Sequence, residues 1–210
     1  MSRFTILLAG PIEATSELLA EVAGTRVIAA DAGIRHAGAL KVVPELWVGD
    51  FDSHVGEPDL VAVPRRTWPR DKDRTDGEIA IAEAWARGAS SLLVVGAFGG
   101  RSDHAFSHLV IALRESEAGR DVVLFDGREW GYPLPLAPRR FAARRGAQFS
   151  ILKFSDLGGL TIEGARFPLD RADIPFASIL TQSNEALGDV TVDLRKGRAL
   201  LLLQADPLVR

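Results

Sequence analysis

Two short acidic runs, Gly49-Asp50-Phe51-Asp52-Ser53 and Asp71-Lys72-Asp73-Arg74-Thr75-Asp76, place five aspartates close together in the first half of the chain. The first run directly follows the apolar stretch Leu46-Trp47-Val48. Carboxylates at the exit of a buried strand cost desolvation and repel one another unless a cation or a proton shares the site. Hard oxygen donors of this kind suit Mg²⁺, which usually arrives with a phosphorylated substrate. The residue types therefore point to a phosphate-handling enzyme.

A third segment adds to this chemistry. Gly99-Gly100-Arg101 offers a backbone that can approach a phosphate closely and a guanidinium able to bind it through two hydrogen bonds. His104, three residues on, is either a base or phosphate donor, or a histidine satisfied at a helix start. No Gly-Lys-Ser/Thr follows the glycines, and no dinucleotide fingerprint of the usual spacing occurs. Thr75 and Glu78 have capping-box spacing, and Asp76 falls in the first turn, where the helix dipole favours an anion. Capping accounts for those three residues without any function, but it leaves Asp71 and Asp73 unexplained.

The elements that must position these residues change rhythm along the chain. Phe4–Ala9, Arg26–Ala30, Leu46–Val48, Leu92–Val95 and Val122–Phe125 are continuous apolar runs of strand length. Helical segments lie around Thr15–Ala23, Thr75–Ala86 and His104–Glu115. This alternation predicts an α/β layer with a largely parallel sheet over residues 1–126. In such a sheet, ligands bind beyond the carboxyl ends of the strands. Asp31-Ala32-Gly33, the Gly49 run and the Gly96–His104 segment all fall at such ends, and the Asp71 run precedes a helix.

Residues 127–145 are punctuated by glycine and proline and read as a linker or an irregular crossing strand. Residues 146–210 read as a small all-β domain. Its expected strands are Gln148–Phe154, Leu160–Glu163, Ser178–Thr181, and a hairpin of Val190–Leu194 with Ala199–Leu203 around Lys196-Gly197.

Composition narrows the class further. An apolar fraction of 47% and a charged fraction of 25% are those of an ordinary globular protein. A net charge of −3 argues against a general nucleic-acid binder, and the pairs Arg139-Arg140 and Arg144-Arg145 read as a solvated loop. The absence of cysteine excludes disulfides and thiolate metal sites and suits a reducing cytoplasm. No apolar run approaches the roughly 20 residues of a spanning helix. Arg3 with Phe4–Ala9 has a faint signal-peptide character, but Pro11 and Glu13 follow at once, and it reads as the first strand of a cytoplasmic protein.

Taken in order, these motifs resemble those of the thiamine pyrophosphokinase family. The likeness rests on Ala30-Asp31-Ala32-Gly33, the Gly49–Ser53 and Asp71–Asp76 runs, and Gly99-Gly100-Arg101-Ser102-Asp103-His104. It continues with Gly159-Leu160-Thr161-Ile162-Glu163-Gly164 and Ser183-Asn184. The resemblance implies an α/β, Rossmann-like nucleotide-binding domain with a mostly parallel sheet, followed by a small β-sandwich, and a homodimer with sites between subunits. It implies transfer of pyrophosphate from ATP to the hydroxyl of thiamine, releasing AMP. By motif matching, Asp50, Asp52 and Asp76 would bind Mg²⁺, with Asp73 close by; Asp73 or Asp76 could take the alcohol's proton. Asp31, Gly33, Ser53, Gly99, Gly100, Arg101, Asp103 and His104 would lie at the nucleotide, with Arg101 supporting catalysis. Lys72, Ser183 and Asn184 would meet the substrate, the last two from the partner subunit.

The chain also departs from the family's pattern. Ala32 stands where a second glycine is usual, Ile34 and Arg35 where a small residue and an asparagine are usual, Ile79 where lysine is frequent, and His108 where asparagine is common. These departures keep two other functions open: a pyrophosphokinase acting on another alcohol, such as a hydroxymethylpterin, and a non-catalytic nucleotide-binding homologue. Asp50-Phe51-Asp52 also has the look of an Asp-x-Asp phosphatase nucleophile, but His54-Val55 occupies the place of the threonine that such a motif requires.

Overall fold

The computed structural model describes residues 2–51, 63–68 and 74–206. Two compact units emerge, residues 1–111 with 120–127, and residues 112–119 with 128–210.

In the first unit, the continuous apolar runs form strands paired in parallel. They are β1 (Ser2–Leu7), β2 (Arg26–Ala30), β3 (Leu46–Gly49), β4 (Arg65–Thr67), β5 (Ala89–Val95) and β6 (Asp121–Phe125). β2 and β5 pair with opposite edges of β1, so the strand order reverses there. Phe4, Ile6, Leu7, Ile28, Leu93 and Val95 are fully buried, which is why these runs do not alternate with polar residues. Among the described residues, α1 (Ser16–Val22) and α2 (Asp76–Ala86) accompany these strands, and α3 (Ser102–Glu117) begins in this unit and ends in the second. α2 begins as its sequence requires: the Thr75 hydroxyl accepts from the Glu78 amide at 3.2 Å, and the Glu78 carboxylate accepts from the Thr75 amide at 3.1 Å.

The second unit is antiparallel. It contains β7 (Glu129–Pro133), β8 (Arg139–Phe141), β9 (Gln148–Lys153), β10 (Leu157–Ala165), β11 (Leu169–Ile174), β12 (Asn184–Asp193) and β13 (Ala199–Gln204). β13 lies between β7 and β9, and β12 pairs with β8, β9 and β10.

The expected architecture, a Rossmann-like α/β domain with a mostly parallel sheet followed by a small β-sandwich, is overturned. The chain is mostly β-structure of mixed direction, parallel in the first unit and antiparallel in the second, with strands taking 40% of the described residues and helices only 21%. The segment after β2, Asp31–His36, is a short 3-10 helix. The expected hairpin also fails: β13 does not fold back on β12, because Leu200, Leu201 and Leu203 are all buried and the strand is hydrogen-bonded along both edges.

Ser178–Thr181 is likewise not a strand. Ile179 and Leu180 are exposed there, and the segment is a turn held by Lys153 Nζ donating to the Ser178 carbonyl at 2.6 Å. Among the described residues, no helix is long and apolar enough to cross a membrane.

Candidate active site

The chain ends of β1, β2 and β5 and the starts of α2 and α3 surround a cleft of about 380 Å³ in the first unit. The segment after β1 contributes Leu8, Ala9 and Gly10, the end of β2 contributes Ala30, the 3-10 helix contributes Asp31, and α2 contributes Asp76 and Gly77 behind Thr75. The loop after β5 and the first turns of α3 contribute Gly99, Gly100, Arg101, His104 and His108. A cleft outside the carboxyl ends of strands, where their order reverses, is a common ligand site.

Close backbone packing builds the walls. The Leu8 amide donates to the Val95 carbonyl at 2.8 Å, and the Gly10 amide donates to the Gly96 carbonyl at 2.9 Å. On the other flank, the 3-10 helix grips the same loop. Arg35 donates to the Ala9 carbonyl, and His36 Nε2 donates to the Gly10 carbonyl at 2.8 Å. Arg35 thus has a structural partner at the cleft wall. Burial pushes the His36 imidazole below its ordinary pKa.

At the mouth, Gly99 and Gly100 both take positive φ, 67° and 68°, and turn the chain into α3. Arg101 and Asp103 form a two-bonded ion pair, at 3.2 Å from Nε and 2.6 Å from Nη2. The pair is exposed, 72% and 63% of the two side chains. The Arg101 guanidinium holds the Asp103 carboxyl below its ordinary pKa, and the His104 amide, donating at 2.9 Å, adds to this. The result is a guanidinium at a helix N-terminus, aimed by its own carboxylate, a combination suited to phosphate oxygens.

Asp31 takes a positive φ of 42°, and its carbonyl accepts from Trp47 Nε1 at 2.9 Å. Gly33 does not line the cleft. It is pressed against β1, where a Cβ would come within 2.1 Å of the Leu7 oxygen. Asp50 follows β3, next to Gly49, whose own Cβ position would lie 3.5 Å from Asp31 Oδ1. Phe51 packs edge-on against Trp47 at 4.9 Å between ring centroids, and Arg65 covers the Trp47 ring at 4.5 Å. Among the described residues, no three His, Cys, Asp or Glu side chains gather as a metal-binding group. Asp52, Ser53, Lys72 and Asp73 lie outside the described residues.

In the second unit, Ser183 has a positive φ of 56° and its amide donates to Ser150 Oγ at 3.0 Å. Asn184 is buried and spends its side chain on the backbone. Its Oδ1 accepts from the Phe167 and Glu185 amides at 3.1 and 2.9 Å, and its Nδ2 donates to the Phe167 carbonyl at 2.8 Å.

Sequence reasoning missed the β1 exit and noticed His108 only as a departure from a pattern. The signal for the first was a glycine, Gly10, directly after the apolar run Phe4–Ala9. For the second it was a histidine one helical turn after His104. Ile79 is 4% exposed and belongs to the buried face of α2, so the absence of lysine there is met by packing.

A family model for "Thiamin pyrophosphokinase, catalytic domain" matches residues 22–124, and one for "Thiamin pyrophosphokinase, vitamin B1 binding domain" matches residues 141–198. The thiamine pyrophosphokinase of Bacillus subtilis (strain 168) is 24% identical over 172 residues, covering 79% of this chain and 80% of that protein. The crystal structure of a Bacillus subtilis thiamine pyrophosphokinase superposes with a TM-score of 0.85 at 23% identity, over 99% of this chain and 100% of the other. That of Geobacillus thermodenitrificans superposes with a TM-score of 0.79 at 24% identity, over 97% of each chain. The thiamin pyrophosphokinase from Candida albicans still reaches 0.74 at 13% identity, over 97% of this chain and 90% of that one. At these identities the structural likeness is one of fold.

Proposed function

Because the chain belongs to the thiamin pyrophosphokinase family, we propose that it transfers pyrophosphate from ATP to the hydroxyl of thiamine, giving thiamine diphosphate and AMP. The observation that carries this reading is the juxtaposition, in one cleft, of Arg101 and the helix starts with the carboxylates Asp31 and Asp76. Attack on a phosphorus of ATP requires alignment and charge neutralisation more than covalent chemistry by the protein. The α3 start and Arg101 bind the phosphate oxygens, and Asp103 fixes the direction of the guanidinium. Asp76 or Asp73 receives the proton of the alcohol.

Asp50 and Asp76 offer only hard oxygen donors, which fits Mg²⁺, and they would hold the ion together with Asp52. Bound there, Mg²⁺ would neutralise phosphate charge. Nucleotide handling belongs to residues 1–126, thiamine binding to 146–210, and 127–145 join them. Asp31, Gly33, Ser53, Gly99, Gly100, Asp103 and His104 shape the nucleotide site, and Lys72, Ser183 and Asn184 serve the substrate.

The enzyme works as a homodimer in the cytoplasm. In the second unit, Phe167, Ile179 and Leu180 are 59%, 76% and 62% exposed, which supports a face covered by a partner copy. The test of the reading is AMP release with ATP, Mg²⁺ and a panel of alcohols, thiamine first. AMP formed with a pterin alcohol but not with thiamine would overturn the substrate and keep the reaction class. Sedimentation of the purified protein as a monomer would overturn the dimer.

A further inference from the structure

We propose that His108 binds substrate directly, its Nε2 accepting a hydrogen bond from a ligand hydroxyl at the floor of the cleft. The proposal rests on the reading of the cleft as a nucleotide site.

The ring is fixed by its other nitrogen. His108 Nδ1 lies 3.0 Å from the Ala97 carbonyl oxygen. A carbonyl can only accept, so Nδ1 carries the proton, and in the neutral ring Nε2 is then an acceptor. Burial lowers the basicity of this imidazole, and neighbouring His104 lowers it further, which supports the neutral form. Among the described residues, Nε2 has no protein hydrogen-bond partner. It faces the first turn of α2, where a Cβ on Gly77 would stand 3.8 Å from it.

The position of this nitrogen selects its ligand. His104 and His108 are four residues apart on α3, therefore on one face, with ring centroids 6.3 Å apart. A molecule whose phosphates meet Arg101 and the α3 start extends one helical turn inward before it reaches His108. Phosphate oxygens are acceptors and gain nothing from a neutral acceptor. A hydroxyl does. Two hydroxyls fit this chemistry, one on the ribose of the nucleotide and one on the acceptor alcohol.

Titration calorimetry on the wild-type protein and on His108→Asn separates the cases. Asparagine can still donate to the Ala97 carbonyl, but it is too short to reproduce Nε2, and an unchanged melting temperature shows that the fold is kept. The ligands are ATP with Mg²⁺, its 2′-deoxy and 3′-deoxy analogues, thiamine, and a thiamine analogue lacking the hydroxyl. One hydroxyl-bearing ligand should bind His108→Asn about 2- to 10-fold more weakly than wild type. The analogue lacking that hydroxyl should bind both proteins equally and so identify the source. A loss of the same size for every analogue, or none for any ligand, overturns the proposal while leaving the proposed function intact. Wild-type protein that binds neither nucleotide nor thiamine overturns both. Should His108→Asn melt early, His108→Gln, which can reach the position of Nε2 with an amide oxygen, is read against the same ligands. Restored hydroxyl discrimination then supports the contact, and its absence overturns it.

Discussion

The amide of Gly10 donates to the carbonyl of Gly96 at 2.9 Å, and neither glycine has room for a side chain. A Cβ on Gly10 would stand 2.3 Å from the Gly96 oxygen, and one on Gly96 would stand 2.4 Å from the Leu8 oxygen. The exits of β1 and β5 can therefore lie side by side and form one wall of the cleft. Gly96 also holds a positive φ of 75°, which an L-side chain resists. Gly96→Ala should lower unfolding free energy by at least about 2 kcal/mol, combining overpacking with an unfavourable backbone conformation. Urea denaturation of the variant measures this, and a midpoint equal to that of wild type would show that the wall has slack.

Arg101 and Asp103 make a different prediction. Their pair is largely exposed, so breaking it should leave the melting temperature unchanged. If the guanidinium meets the phosphates, Arg101→Ala should lower kcat/KM by on the order of 100-fold. Asp103→Asn should have a smaller effect, because it frees the arginine without removing it. Steady-state kinetics beside a thermal melt separate the two readouts.

The capping box of α2 places Asp76. Thr75→Ala removes the acceptor for the Glu78 amide and should cost about 1 kcal/mol. Thr75→Ser should recover most of that, since the hydroxyl is kept. A stability loss in Thr75→Ala that serine does not restore would assign the effect to the threonine methyl instead.

His36 predicts a pH dependence. Burial lowers its pKa in the folded protein, so between the folded value and the ordinary value near 6.5 the unfolded chain binds more protons. Its contribution is therefore fully present above about pH 6.5 and is lost as pH falls below it. His108 is shifted in the same direction and adds to the slope. Unfolding free energy measured from pH 8 to 5 should fall on the acid side in wild type and fall less steeply in His36→Gln. Equal slopes in both proteins would exclude His36 as a cause.

Asn184 and Ser183 should part company. Asn184→Ala removes the buried amide side chain that pairs with the Phe167 amide and carbonyl, at a cost of about 1 kcal/mol. Ser183→Ala touches an exposed side chain and should move the KM for thiamine without moving the melting temperature. The opposite assignment of effects would reverse the roles of these neighbours.

How much of this was legible depended on how local the physics is. Arg26–Ala30 was read to the residue, because a continuous apolar run bounded by charge specifies a covered strand. The start of α2 was equally readable, since Thr75 and Glu78 satisfy each other within one turn. Strand partners were not readable. Leu200, Leu201 and Leu203 announce burial, but nothing in their own segment says that β7 and β9 flank them. That is where the expected layout of the sheet failed. In the cleft, Asp31, Asp76, the Gly99-Gly100-Arg101 loop and His104 stood out through residue type and position at strand ends. Gly10, Gly77 and His108 did not, because their roles depend on segments far away in sequence.

The central claim is the transfer of pyrophosphate to thiamine, and product analysis tests it most directly. Purified protein incubated with ATP, Mg²⁺ and thiamine, then resolved by chromatography, should yield AMP and thiamine diphosphate in equal amounts. ADP with thiamine monophosphate, or inorganic phosphate with unchanged thiamine, would contradict the account.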